Sequence, residues 1–431
     1  MAVGSRQNRA VPDASCAAQR QRLVGSVPVH VAKVRARHLG LVGLAVLVVA
    51  LGIAFKSARP ATAASGLEIA LQDDAVFLEG KWFDRERALR IARGLGVTRL
   101  RVGLGWAFTL PRAQQRARQA PANPSYSFAA WDALIDAAAR YGIRVHLSIQ
   151  GPAPAFATGD RRVGPYKPNA REFERFVRVV AQHFKGRVDR YSLWNEPNWA
   201  TWLAPLRAAP SLYRALYQAG WQAIKSIDPQ ARVLFGETAP YARPGLSIAP
   251  LDFLRRTLCV DRKYRPVRKR CPALRADGYA HHPYDFAHSP DYRYPGADNV
   301  TMGTLSRLTR ALDTLARRGR LLPAGASRMP LYLTEFGYFS SGRRMLRSSK
   351  ARERYTYRSF DIALRNPRVR SHLYYLLVSP PSRSRWAFFD LGLLDQRGRG
   401  RPQYTAIRKW YKRNRTRVRQ PGPPLTFPLS P

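Results

Sequence analysis

The chain has 431 residues, 45% of them hydrophobic, with nine tryptophans, enough to bury a large core as two or three average domains or as one barrel with extra segments. Its formal net charge is +45, from 73 Lys and Arg against 28 Asp and Glu, which predicts attraction to anionic polymers or lipid and carries no information on fold. The basic residues are scattered without interleaved aromatics, which argues against a dedicated nucleic-acid module, and Cys16, Cys259 and Cys271 lack the spacing of a zinc cluster.

Residues 1–38 are polar and basic without apolar periodicity and are expected to be disordered. Residues 39–55 are continuously apolar or glycine, short for a membrane span and slightly long for a signal-peptide core. Lys33, Arg35 and Arg37 precede this run, so the positive-inside rule leaves the N-terminus in the cytoplasm and the rest of the chain outside. Within the linker 56–65, Ala61-Thr62-Ala63 has the small-residue pattern of a signal-peptidase site. A cleaved export signal and a retained anchor are both open at this point.

From Gly66 the pattern alternates strand and helix. Strands are predicted at 67–71, 99–102, 144–149, 190–194, 232–235, 278–281, 331–334 and 373–378. Helical periodicity falls between them at 85–94, 128–140, 171–184, 213–227, 305–317 and 352–364, with a short irregular segment at 251–258. Eight such units predict a (β/α)8 barrel over 66–412, closed by a helix at 402–410. The segment 413–431, rich in Arg and Pro, is expected to be loose.

Two strand ends carry the chemistry. The run Tyr191-Ser192-Leu193-Trp194 stops at Asn195-Glu196-Pro197, where proline ends the strand and biases Glu196 toward an extended backbone. The run Leu331-Tyr332-Leu333-Thr334 ends in Glu335-Phe336-Gly337. Two carboxylates held at strand ends over one cleft are what glycoside hydrolysis needs. The pair resembles that of glycoside hydrolase clan A, retaining hydrolases on a (β/α)8 barrel, around families five and thirty-nine. The resemblance implies Glu196 as acid/base at the end of the fourth strand and Glu335 as nucleophile at the end of the seventh. Glu237, after the fifth strand, lacks either motif context and is expected to bind or to support structure.

The same resemblance assigns Arg101, ending the second strand, to the nucleophile, and Asn195 to the sugar 2-hydroxyl. From the sixth strand His282 would position the acid/base and Tyr284 the nucleophile, with His281 the alternate if the register slips by one. The tryptophan that many members carry at the end of the eighth strand is missing, and Tyr374-Tyr375-Leu376 stands there. Trp106, Trp199 and Trp386 are the candidates for the sugar platform.

The expectation is therefore an exported retaining glycosidase acting by double displacement on a β-linked oligo- or polysaccharide, with no cofactor required. The alternative is a non-hydrolytic cell-surface glycan-binding barrel. Carbohydrate is the expected partner, together with the membrane if the N-terminal segment is retained. Cys259 and Cys271 are the only two cysteines in the exported part and bracket a stretch rich in Lys and Arg that cannot pack itself, which predicts a disulfide.

Overall fold

A computed structural model describes residues 66–427. The expected disordered region, the apolar segment 39–55 and the linker lie outside them, and no described helix is long and apolar enough to cross a membrane.

Eight strands form a closed, all-parallel barrel. In chain order they are β1 (Glu68–Gln72), β2 (Val97–Gly105), β3 (Arg144–Gln150), β4 (Arg190–Leu193), β5 (Arg232–Thr238), β6 (Gly278–His281), β7 (Leu331–Leu333) and β8 (Val369–Tyr375). Each strand pairs with its neighbours in sequence, and β1 closes on β8 in the register Glu68↔Ser371 to Gln72↔Tyr375. The strands are buried almost throughout, because side chains fill the barrel interior and helices cover the outside.

The covering helices are α1 (Arg85–Gly94), α2 (Ala129–Arg140), α3 (Ala170–Phe184), α4 (Ala209–Ile227), α5 (Pro250–Thr257), α6 (Leu305–Arg317), α7 (Ser349–Arg365) and α8 (Pro402–Asn414). Their sequence logic is local. In α3 the Asn169 side chain accepts from the Arg171 and Glu172 N–H groups, which caps the helix. Phe173, Phe176, Val177, Val180 and Phe184 then recur at helical spacing and form its buried face. On α4, Gly220 allows the close approach that seats β4: a Cβ there would come within 2.8 Å of Leu193.

The eighth strand starts and ends earlier than its apolar run suggested. Leu376–Val378 leave the sheet, and the Val378 N–H donates to the Asp73 carboxylate at the end of β1 (2.9 Å).

The segment expected to be loose is ordered through residue 427. The last helix runs on to Asn414 and a 3-10 turn follows at Arg415–Arg417. From Val418 the segment docks as extended chain: Leu67 bridges Val418, the Arg419 N–H donates to the Leu67 carbonyl, and the Leu425 N–H donates to the Ala139 carbonyl. Arg419 also reaches Glu68 (3.1 Å), whose buried carboxylate is bound by Arg99 and Arg190 as well. Burial would raise the pKa of Glu68, but Arg99 and Arg190 outweigh it and hold the carboxyl well below the usual range.

Cys259 and Cys271 are joined in a disulfide with Cα atoms 6.4 Å apart. The bridge staples the loop between α5 and β6, at the N-terminal end of the barrel. In the chain-entropy model a loop of this size is stabilised by roughly 3 kcal/mol.

Candidate active site

The C-terminal ends of the strands bring one polar cluster together. Its centre is Arg101 on β2, a guanidinium with almost no solvent exposure. One terminal nitrogen donates to Glu335 (2.8 Å) and to Gln72. The other donates to Asn195 Oδ1 (2.7 Å), Glu237 (2.9 Å) and Ser148 (3.2 Å). A planar fork with fixed donors suits this task, since it orients carboxylates from β5 and β7 and an amide from the end of β4 at once. With Oδ1 engaged, Asn195 has its NH2 end left for a ligand hydroxyl.

His282, just beyond β6, links the carboxylates. Its Nδ1 lies 3.0 Å from Glu196 and 3.7 Å from Glu335, and its Nε2 lies 2.7 Å from Glu237. Both ring nitrogens face carboxylates, an arrangement met best by the doubly protonated ring. Burial alone would lower its pKa. The Glu335 charge and the hydrogen bonds to Glu196 and Glu237 overcome that and raise it from 6.5 to about 9. Tyr284 donates to the other Glu335 oxygen (3.0 Å). His281 points elsewhere, to Thr238 and the Val300 carbonyl, so the register question resolves to His282.

The two motif glutamates meet. One ligand-type atom from each of Glu196, His282 and Glu335 lies within 4.8 Å of the others, and both glutamates stay partly open to solvent. Among the described residues this is also the one cluster of metal-ligand type. A ligating nitrogen needs a free lone pair, whereas the His282 nitrogens are turned to carboxylates as donors.

Glu237 proves more central than its sequence context implied. It is fully buried, bridges Arg101 and His282, and accepts from Thr334 (2.9 Å). Burial pushes its pKa up, but Arg101 and His282 prevail and hold it well below the carboxylate range. Closed to solvent, it ties Arg101 to His282 from below the two open glutamates.

The backbone at the strand ends departs from expectation. Glu196 has φ +36°, outside the extended region that the following proline favours, and Trp194 (+71°) and Glu237 (+50°) are also left-handed. Local hydrogen bonds hold this turn: the Trp199 N–H donates to the Glu196 carbonyl (2.8 Å), and Asn198 bonds to Ala239 and Ile248 across the β5 loop. Such strain concentrates where side chains must be aimed.

Of the three tryptophans, Trp106 is not at the site. It is fully buried, stacked on Phe176 (5.4 Å) and edge-on to Phe156, because its 3-10 turn directs it under α3 and into the core. Trp199 sits on the loop that carries Glu196, and Trp386 stands half-exposed on the loop beyond β8. Two cleft residues were missed. Tyr375 at the end of β8 feels the Glu335 and Asp74 charges, which add to burial in raising its pKa. Asp74, after β1, accepts from the Gly103 N–H and has its pKa raised to about 6, burial outweighing the opposing Arg101. A carboxylate immediately after a barrel strand was the available signal.

A scan against protein-family models finds no match, and a search of curated proteins finds none either. Solved structures do match. A family 39 glycoside hydrolase from Bacteroides cellulosilyticus WH2 superposes with TM-score 0.57 at 17% identity, over 80% of this chain and 64% of that one. A monomeric beta-xylosidase from Caulobacter crescentus CB15 gives 0.53 at 18%, over 81% and 69%. A glucosidase from Croceicoccus marinus gives 0.56 at 15%, over 82% and 67%. The likeness is one of fold. The chain thus spans a little under two-thirds of the Bacteroides enzyme, and a (β/α)8 barrel is what the three share with it.

The state of His282 makes a pH prediction. A folded pKa of about 9 against 6.5 unfolded means that its stabilisation is complete below about pH 6.5 and is lost as pH rises through about 9. The thermal midpoint should fall over that window in the parent protein and fall less in His282→Gln. Equal slopes in the two would refute the charged state.

Proposed function

We propose that this protein is a retaining glycoside hydrolase in which Glu335 is the nucleophile and Glu196 the acid/base. The observation that carries the reading is the approach of the two partly open carboxylates to within 4.8 Å, at the ends of β4 and β7 of the barrel. Retaining enzymes place them about 5–5.5 Å apart, while inverting enzymes need about 6.5–9.5 Å to admit a water between them. Likeness to a family 39 glycoside hydrolase, a beta-xylosidase and a glucosidase supports a glycoside as substrate, and the beta-xylosidase among them supports a β-linked oligo- or polysaccharide.

In the first step a Glu335 oxygen attacks the anomeric carbon. The bond to the leaving oxygen breaks, and that oxygen takes the proton of Glu196. In the second, Glu196 accepts a proton from water, whose oxygen displaces the glycosyl–Glu335 ester and frees the carboxylate. Arg101 and Tyr284 hold Glu335 by one oxygen each, which fixes its aim. Asn195 meets the sugar 2-hydroxyl through its NH2 end.

A screen of aryl glycosides tests this, with the configuration of the first product read by NMR. Retention is expected. Glu196→Ala should lose about 10²–10⁴-fold on poor leaving groups and far less on activated aryl ones. A uniform loss would remove Glu196 as the acid.

Export is part of the proposal and rests on the apolar run at 39–55 with its basic flank, supported by a disulfide suited to an oxidising compartment. Cell fractionation with N-terminal sequencing separates the cases: an intact start at the membrane means an anchor, a start near Ala64 means cleavage, and recovery from the cytoplasm refutes both.

A further inference from the structure

The charge around the cleft is arranged in two zones. Inside, Glu196, Glu237, Glu335 and Asp74 crowd about Arg101 and His282. On the loops at the same end of the barrel, three arginines lie on aromatic faces. Arg243, after β5, sits 5.5 Å from the Trp199 ring and 5.3 Å from the Tyr241 ring. Arg344, after β7, lies over Phe339 at 5.6 Å, and Arg385, after β8, lies over Trp386 at 4.9 Å.

Stacking holds a guanidinium in place while leaving its in-plane donors free for an anion. Among the described residues none of the three has a carboxylate within salt-bridge distance; Arg243 gives one terminal nitrogen to the Tyr241 hydroxyl (3.3 Å) and keeps its other donors. Elsewhere Arg190 and Arg255 stack on tyrosines and hold Glu68 and Asp298. Arg87 and Arg354 stack without a carboxylate but on single covering helices, so it is the grouping of the three on loops at one end of the barrel that sets them apart. Trp199 ties the first of these stacks to the acid/base, since its N–H donates to the Glu196 carbonyl. Phe339 ties the second to the nucleophile's side, since it packs in one cluster with Tyr284.

We propose that the substrate is an acidic glycan whose reacting sugar is neutral and whose flanking sugars carry carboxylate or sulfate groups, received by Arg243, Arg344 and Arg385. The inference rests on the glycosidase reading for what a reacting sugar is. A negative charge at the reacting centre would face the inner carboxylates, whereas one on a neighbouring sugar meets an unpaired guanidinium backed by an aromatic ring. Those rings offer the stacking faces that sugars use.

The test is binding, which needs no turnover, with the full chain carrying Glu335→Gln. The probes are a xylo-oligosaccharide bearing a glucuronosyl side group, a sulfated xylo-oligosaccharide with its terminal sugar unmodified, and a neutral xylo-oligosaccharide of equal length. Two triple variants are compared. One changes the rim (Arg243→Met, Arg344→Met, Arg385→Met), keeping an apolar stem on each ring. The other changes three exposed basic residues of the disulfide loop at the opposite end of the barrel (Arg262→Gln, Lys263→Gln, Arg268→Gln).

At ~50 mM salt the rim variant should weaken an acidic probe by about tenfold or more and leave the neutral one unchanged, while the loop variant changes neither much. The probe that responds, carboxylate or sulfate, identifies the source of the charge. Equal losses in the two variants would reduce the effect to bulk charge and overturn the proposal. So would acidic probes that bind the parent no better than the neutral one. Failure of the hydrolase reading shows separately, as absence of turnover on any aryl glycoside.

Discussion

Replacing Glu335 with alanine should abolish turnover, with a loss on the order of 10⁵–10⁶-fold in kcat, because it removes the carboxylate proposed to form the covalent intermediate. His282 keeps its contacts with Glu196 and Glu237, so the acid remains in place. The space vacated by the carboxylate admits a small anion. Added azide should therefore restore activity on an activated aryl glycoside and yield a glycosyl azide of inverted configuration. Residual activity within tenfold of the parent, or rescue with retained configuration, would rule out Glu335 as nucleophile.

Arg101→Met should lower both stability and activity, unlike a change confined to one of the partly open glutamates. The methionine keeps the buried stem but removes the guanidinium's own hydrogen bonds to Glu335, Glu237 and Asn195. Two carboxylates are then left with His282 as their only nearby cation, and breaking a buried pair this way costs about 3–5 kcal/mol. Activity should fall by several orders of magnitude in kcat, since Glu335 loses its aim and Asn195 its tether. Arg101→Lys should recover little of this, because an ammonium cannot serve carboxylates on two strands and an amide at once. A lysine variant with parental stability and activity would show that only charge matters at this position.

The parts of the molecule legible in the sequence are those written in local pattern. Strand alternation and helix spacing located the barrel units to within a few residues, and Asn195-Glu196-Pro197 and Thr334-Glu335-Phe336-Gly337 marked the strand ends that meet. What escaped is set by partners far along the chain. Glu237 has no motif around it, and its weight comes from Arg101 on β2 and His282 beyond β6. Trp106 was offered as a sugar platform because it follows a barrel strand, yet a short 3-10 turn carries it into the core. The extended segment from Val418 has no period at all, and its order depends on backbone bonds to Leu67 and Ala139. The left-handed backbone at Glu196 likewise reverses the bias of the next proline, because contacts across loops override it.

The binding of Glu68 has a consequence for how the molecule comes into being. Its carboxylate, near the start of the first strand, waits for Arg99, then for Arg190, and finally for Arg419, which lies 351 residues later. The edge of β1 that pairs with β8 stays open almost as long, since its partner strand, Val369–Tyr375, also comes far along the chain. Closing so long a loop is slow, and until it closes the barrel exposes an unpaired strand edge and an incompletely neutralised acid. The barrel therefore cannot be completed before the chain has been made past Arg419, and until then an emerging chain stays in a state still able to be threaded through a narrow pore.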